Sequence, residues 1–158
     1  EIQISISFID DLSGLYNRKY MNHYLNKLQN DKPKHVYGFL MDINDFKTIN
    51  DIYGHLKGDQ AIIQFGKILQ HSIDKDSVAI RMGGDEFVIF AILKSNEEAL
   101  ALKKRIEQNI RQFNTNSTEP FHLSFSIGIA KYSGNIETFL SSMDDSMYEA
   151  KNMHRLMQ

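Results

Sequence analysis

Cysteine is absent from the 158 residues. That excludes disulfides and cysteine-built zinc sites, and it is compatible with a reducing cytosol. The six histidines are scattered, with no His-Glu-x-x-His or other paired spacing, so a histidine-built metal site is not expected. Basic residues form no stripe or cluster in a chain of net charge −2. Contact with nucleic acid is therefore not expected. No apolar run approaches the roughly 18–20 residues of a membrane span, and no signal peptide is visible. A cytoplasmic location and no membrane contact by this domain are the expectation. Repeats, low-complexity tracts and linkers are also missing, so residues 1–158 read as one domain. The opening "EIQISISFIDDLSG" lacks an initiator Met. The chain is expected to be a piece of a longer protein, with any sensor or anchor lying upstream.

What is present suits a globular core. Hydrophobic residues make up 42% and charged residues 24%, and a chain of this size folds without staples. A first helix follows "DDLSGLYNRKY", with Tyr20, Tyr24, Leu25 and Leu28 on one face and "DKP" as its stop. "VYGFLMDI" is short and almost wholly apolar, which predicts a buried strand. A helix over 45–53, ended by Gly54, and a second over 58–72 come next. "SVAIRM" and "EFVIFAIL" predict two strands joined by a Gly83-Gly84-Asp85 hairpin. A helix over 95–113 has Ser95 or Asn96 at its start and acids in its first turn. "FHLSFSIGIA" alternates strictly and predicts a strand, and a last helix covers 136–153. One sheet with helices packed on it, α+β or α/β, is the expected class.

Asp42 ends the first strand, and Asp85 and Glu86 follow two glycines at the mouth of another. Taken singly, Asp42 capping a helix and Asp85 filling a turn are the plainer uses. Taken together, converging carboxylates repel, and a divalent cation relieves them. An all-oxygen site with room for phosphate suits Mg²⁺, and paired ions would polarise a phosphoryl group. Gly83 and Gly84, without Cβ, let the backbone approach a phosphate.

"MDINDFKTINDIYGHLKGDQ" is the second dense stretch. It fails as a calcium loop, because Lys47 stands where Gly is needed and Tyr53 where Glu is needed. It fails as a Walker loop for lack of the Gly-Lys-Ser/Thr ending. What remains is a helix start carrying Lys47, then Asn50, then a Gly-bounded turn presenting His55 and Asp59. A carboxylate such as Asp59 matches the adjacent N1–H and 2-amino donors of guanine and would go unpaired against adenine. Singly, Asn50, His55 and Asp59 are equally well a solvated helix residue, a turn residue and an N-cap. Lys151 and Arg155 share a face four residues apart, which suits either a bound polyphosphate or a solvated helix end.

Five stretches in this order, "DDLSGLYNRKY", "MDINDFKTINDIYGHLKGD", "RMGGDEF", "SFSIGIA" and "SMDDSMYEAK", closely resemble the GGDEF domain of bacterial diguanylate cyclases. The resemblance covers residues 10–155 or so. It implies a central mixed sheet of about five strands surrounded by helices, similar to class III nucleotide cyclases and polymerase palms. It also implies an enzyme that joins two GTP molecules into cyclic di-GMP, with two pyrophosphates leaving. On that likeness Asp42, Asp85, the carbonyl of Ile43 and Glu86 would hold Mg²⁺ or Mn²⁺, two ions per half-site. Asp85, or in second place Glu86, would take the ribose 3′-hydroxyl proton. Phe46 and Lys47 would meet the triphosphate, with Lys47 also catalytic in stabilising transition-state charge, Asn50, His55 and Asp59 would bind GTP, and Lys151 and Arg155 would hold phosphate. Because each product uses two nucleotides, a transient or regulated homodimer is implied, answering to an upstream sensory domain in a second-messenger pathway.

Departures from the family pattern are few. Ser13, Asn44 and Ser146 replace a usual Thr, Asp and Ala. His154-Arg155-Leu156 replaces a frequent Gly-Arg-Asn, which would alter the helix end around Arg155. The usual final strand is expected to be missing or truncated. The Arg-x-x-Asp product-inhibition motif is replaced by Asp74-Lys75-Asp76-Ser77, so feedback through that site is expected to be lost. Asp59 argues against relatives that accept mixed purines. The alternative reading is a catalytically silent module that binds GTP and relays it to a partner domain.

Overall fold

The computed structural model describes residues 7–158. The first six residues of the expected domain lie outside the described residues. Helix α1 (Arg18–Asp31) begins where the Asn17 side chain accepts from Tyr20 N, and it ends at Lys32 in the left-handed region with φ 47°. Strand β1 (Val36–Ile43) is followed by α2 (Phe46–Tyr53) and α3 (His55–Ser72). The β2 (Val78–Gly83) and β3 (Glu86–Ile92) hairpin leads to α4 (Asn96–Asn116), β4 (Phe125–Lys131) and α5 (Ile136–Leu156). Ser95 caps α4 by accepting from Glu98 N, and Asn135 caps α5 by accepting from Thr138 N.

The strand order is β2-β3-β1-β4, and every neighbouring pair is antiparallel. β1 is buried along its whole length because helices cover both faces of the sheet. Tyr37, Phe39, Met41 and Ile43 point to the core shared with α2, α3 and α4. Val36 and Leu40 point to the core shared with α1 and α5. Alternation along the strand therefore puts Asp42 on the α5 side.

Two glycines bring α5 down onto this side. A Cβ at Gly38 would lie 2.5 Å from Met143 Sδ, and one at Gly128 would lie 2.3 Å from the Met143 carbonyl oxygen. From Gly38 to Asp42 is about 13 Å of strand. From Met143 to Lys151 is about 12 Å of helix. The close approach thus delivers Lys151 to Asp42.

The sheet has four strands among the described residues, one fewer than the five or so expected. Tyr16 makes only isolated bridges, antiparallel to Ile9 and parallel to Ile80, because the chain turns into α1 at Asn17. The strand expected over 121–130 starts at Phe125. Leu123 N donates to Asn114 Oδ1 and the Leu123 carbonyl accepts from Asn114 Nδ2, so a side chain replaces a strand partner there. Phe121 and Leu123 are still buried, as their alternation predicted. Helix α3 starts at His55 rather than near residue 58. Gly54, at φ 90°, makes the whole turn from α2 to α3 by itself.

Candidate active site

β1 ends in the middle of the sheet, and its last turn opens a cavity of about 270 Å³. Asp42, Ile43, Phe46, Lys47, Asp85, Lys151 and Arg155 line it, joined by Asn44, Asp45, His154 and Gln158. The hairpin presents its acids beside this cavity. Gly83 pairs with Glu86, leaving Gly84-Asp85 as a two-residue turn. Gly83 and Gly84 have φ values of 138° and 54°, which is why glycine is needed at both positions. Glu86 stands opposite Asp42 in the β1–β3 register. Ile43 N donates to the Asp85 carbonyl at 3.2 Å, tying the turn to the strand end.

Among the described residues Asp42 is the one buried acid, with its side chain 7% exposed. Its Oδ2 pairs with the Lys151 ammonium, and its Oδ1 is buried with no hydrogen-bond partner. Burial pushes the Asp42 carboxyl above its ordinary range. The Lys151 ammonium pulls it back, and the charges of Asp85 and Glu86 push it up again. Among the described residues no three His, Asp or Glu side chains form a cage that could hold a metal. The donor chemistry nevertheless fits a hard divalent cation. A buried carboxylate oxygen is unsatisfied, a second acid lines the same cavity, and an ammonium already sits against the first.

The second motif is split from the first. Lys47 lies at the cavity rim, highly exposed, and pairs with Asp51 at 3.0 Å. Asn50, half-buried on α2, packs its side-chain oxygen directly against Gly58 of α3. His55 and Asp59 are exposed and lie one turn apart at the start of α3. The expected loop presenting them is thus a helix start. Asn50, His55, Asp59, Gly83, Gly84 and Glu86 are outside the cavity lining that holds Asp42 and Asp85.

Several contacts around the cavity involve residues to which the sequence reading gave no site role. Asp45, at φ 57°, accepts from Gln158 Nε2 at 3.0 Å and lies 3.2 Å from His154 Nε2. Asn44 bonds Ser124 and Ser126 and so ties the β1–α2 loop to β4. Arg81 donates from Nε to the Gly84 carbonyl at 3.0 Å and pairs through NH1 with Asp10 at 3.0 Å. It thereby steers the acidic turn. Arg81 and Asp10 both lie inside quoted motifs, which was the available signal.

A family model described as "Diguanylate cyclase, GGDEF domain" matches residues 7–156. Diguanylate cyclase DgcM of Escherichia coli (strain K12) is 32% identical over 148 residues, covering 90% of this chain and 36% of DgcM. Cyclic di-GMP phosphodiesterase PdeR of the same organism is 33% identical over 150 residues, covering 90% of this chain and 22% of PdeR. The chain therefore spans little more than a third, or less, of the length of these two curated relatives. The solved GGDEF domain of TpbB (YfiN) from Pseudomonas aeruginosa superposes with a TM-score of 0.80 at 27% identity. That match covers 92% of this chain and 89% of the solved one.

Proposed function

Because this chain belongs to the GGDEF family of diguanylate cyclase domains, we propose that it condenses two GTP into cyclic di-GMP at a two-fold interface between two copies. The observation that carries the proposal is the buried, unpartnered Oδ1 of Asp42 in a cavity shared with Asp85. Asp42, Asp85, Glu86 and the Ile43 carbonyl would hold Mg²⁺ or Mn²⁺, two ions per half-site. When bound, the ions would lower the pKa of the ribose 3′-hydroxyl and neutralise charge on the α-phosphate.

The chain's own side chains carry the rest. Asp85, or failing it Glu86, takes the 3′-hydroxyl proton. The 3′-oxygen bonds to the α-phosphorus of the facing nucleotide. The bond from that phosphorus to the β-bridging oxygen breaks, and pyrophosphate leaves with the electron pair. A second such step closes the ring. Lys47, Lys151 and Arg155 offset the triphosphate charge, and Phe46 shapes the rim. Asn50 and Asp59 read the guanine edge, His55 lies beside them, and Gly83 and Gly84 admit the phosphates. Positioning and electrostatics supply most of the rate in such transfers. A cytoplasmic domain governed by an upstream sensor completes the proposal.

A second reading is a silent module that binds GTP and relays it to a neighbouring domain. Two observations favour it: a relative of similar identity is named as a phosphodiesterase, and Lys151 already occupies Asp42. The test is to incubate the full-length protein with GTP, ATP and Mg²⁺ and identify products by mass spectrometry. Cyclic di-GMP from GTP alone is expected. GTP binding without any cyclic dinucleotide would replace the first reading with the second.

A further inference from the structure

Lys151 lies against the carboxylate proposed above as a metal ligand. Its ammonium contacts Asp42 Oδ2, while Oδ1 of the same carboxylate has no partner. The carboxylate is 7% exposed and the lysine 36%. The acid is thus fixed in the wall, and the cation that neutralises it reaches in from the cavity side. The other cavity cations differ from it. Lys47 is almost fully exposed and tied to Asp51, and Arg155 is exposed with only a long 3.5 Å contact to Asn152.

A half-neutralised buried carboxylate is costly to leave bare and ready to accept a better cation. Lysine is suited to the temporary role. Its compact ammonium sits on a flexible four-carbon stem and can turn without moving the helix. The backbone under it cannot move easily, because Gly128 and Gly38 clasp α5 one to three turns earlier, at Met147, Met143 and Phe139.

We propose that Lys151 is a resident counter-ion, holding Asp42 in the metal-free protein and displaced from it when a divalent metal enters. This rests on the reading that Asp42 is a metal ligand. Once displaced, the ammonium faces the cavity and is free for an anionic guest such as a triphosphate. Metal binding and nucleotide binding then help one another through a single side chain, and that coupling is reciprocal. Lys151 is in this respect a positioning residue.

The experiment uses the whole chain without nucleotide and MnCl₂ as the probe. Calorimetry and thermal unfolding compare the wild type with Lys151→Met and Asp42→Asn. Lys151→Met is expected to melt lower than wild type without metal. It should bind Mn²⁺ about tenfold more tightly and show the larger metal-induced rise in Tm. Asp42→Asn should show no metal-induced rise. If Lys151→Met binds Mn²⁺ no more tightly while Asp42→Asn loses binding, displacement is wrong and the metal site stands. If Asp42→Asn binds Mn²⁺ as the wild type does, the metal reading itself fails and takes the displacement with it. A measurement on the wild type avoids any folding defect in the variants: acylation of the Lys151 amine, read by peptide mass spectrometry. Labelling should rise with added Mn²⁺, and an unchanged rate would overturn the proposal.

Discussion

Asn50 and Gly58 touch across the α2–α3 junction: a Cβ on residue 58 would lie 1.8 Å from Asn50 Oδ1. The glycine is therefore the floor on which the amide rests, and it sets where that amide points.

Gly58→Ala should separate binding from stability. The obstructing atom is the end of a side chain, which can rotate away. Alanine in a helix regains up to about 1 kcal/mol of propensity. Unfolding free energy should change by less than about 1 kcal/mol, while GTP affinity falls about tenfold as Asn50 is turned aside. Urea unfolding and nucleotide titration together check this. Unchanged GTP affinity would remove Asn50 from the proposed guanine site.

Gly128→Ala should behave in the opposite way. Its Cβ would meet backbone, the Met143 carbonyl oxygen at 2.3 Å and Met147 N at 2.4 Å. Helix α5 must then lift from the sheet. A loss of about 1–3 kcal/mol is expected in urea unfolding. Turnover should drop as well, because Lys151 and Arg155 on α5 are carried away from the phosphates they would hold.

Asp42 predicts a pH dependence. Burial raises its folded-state pKa above the ordinary 3.8, with Lys151 opposing and Asp85 and Glu86 adding to the rise. Protonation is then favoured by folding. The contribution to stability is fully present below pH 3.8 and is lost as pH rises through the elevated value. Metal-free wild type should therefore lose stability relative to Asp42→Asn from about pH 4 toward neutrality. Chemical denaturation across that range measures the gap. A gap that stays constant would mean that Lys151 neutralises the carboxylate completely.

Much of this architecture follows from local pattern. The unbroken apolar run of β1 reports burial on both faces, and the 3- and 4-residue spacing in α4 puts Leu102, Ile106 and Ile110 in the core as expected. Two glycines before an acid foretell the tight turn that carries Asp85. What stayed hidden is choice of partner. Lys151 finds Asp42 across more than a hundred residues, only because Gly38 and Gly128 set the height of α5. Asn114 competes with strand pairing at Leu123, and alternation alone cannot reveal that. The clasp of His154 and Gln158 on Asp45 likewise depends on where a helix end arrives. Periodicity reports a face, and tertiary placement decides what the face meets.

Feedback by product should be weak. Asp74 spends its carboxylate within its own turn, accepting from Asp76 N at 3.0 Å and from Ser77 Oγ at 3.1 Å. Neither the arginine nor the distal aspartate of the inhibition motif is present at 74–77. Initial rates of pyrophosphate release should be insensitive to added cyclic di-GMP except by competition with GTP. A noncompetitive pattern would show a feedback site elsewhere.

The most direct test is a crystal structure of the chain with Mn²⁺ and a non-hydrolysable GTP analogue, with the metal located by its anomalous scattering. Manganese is expected on the carboxylates of Asp42 and Asp85, with the Lys151 ammonium turned toward the phosphates. Manganese held elsewhere, with Lys151 still on Asp42, would contradict that expectation.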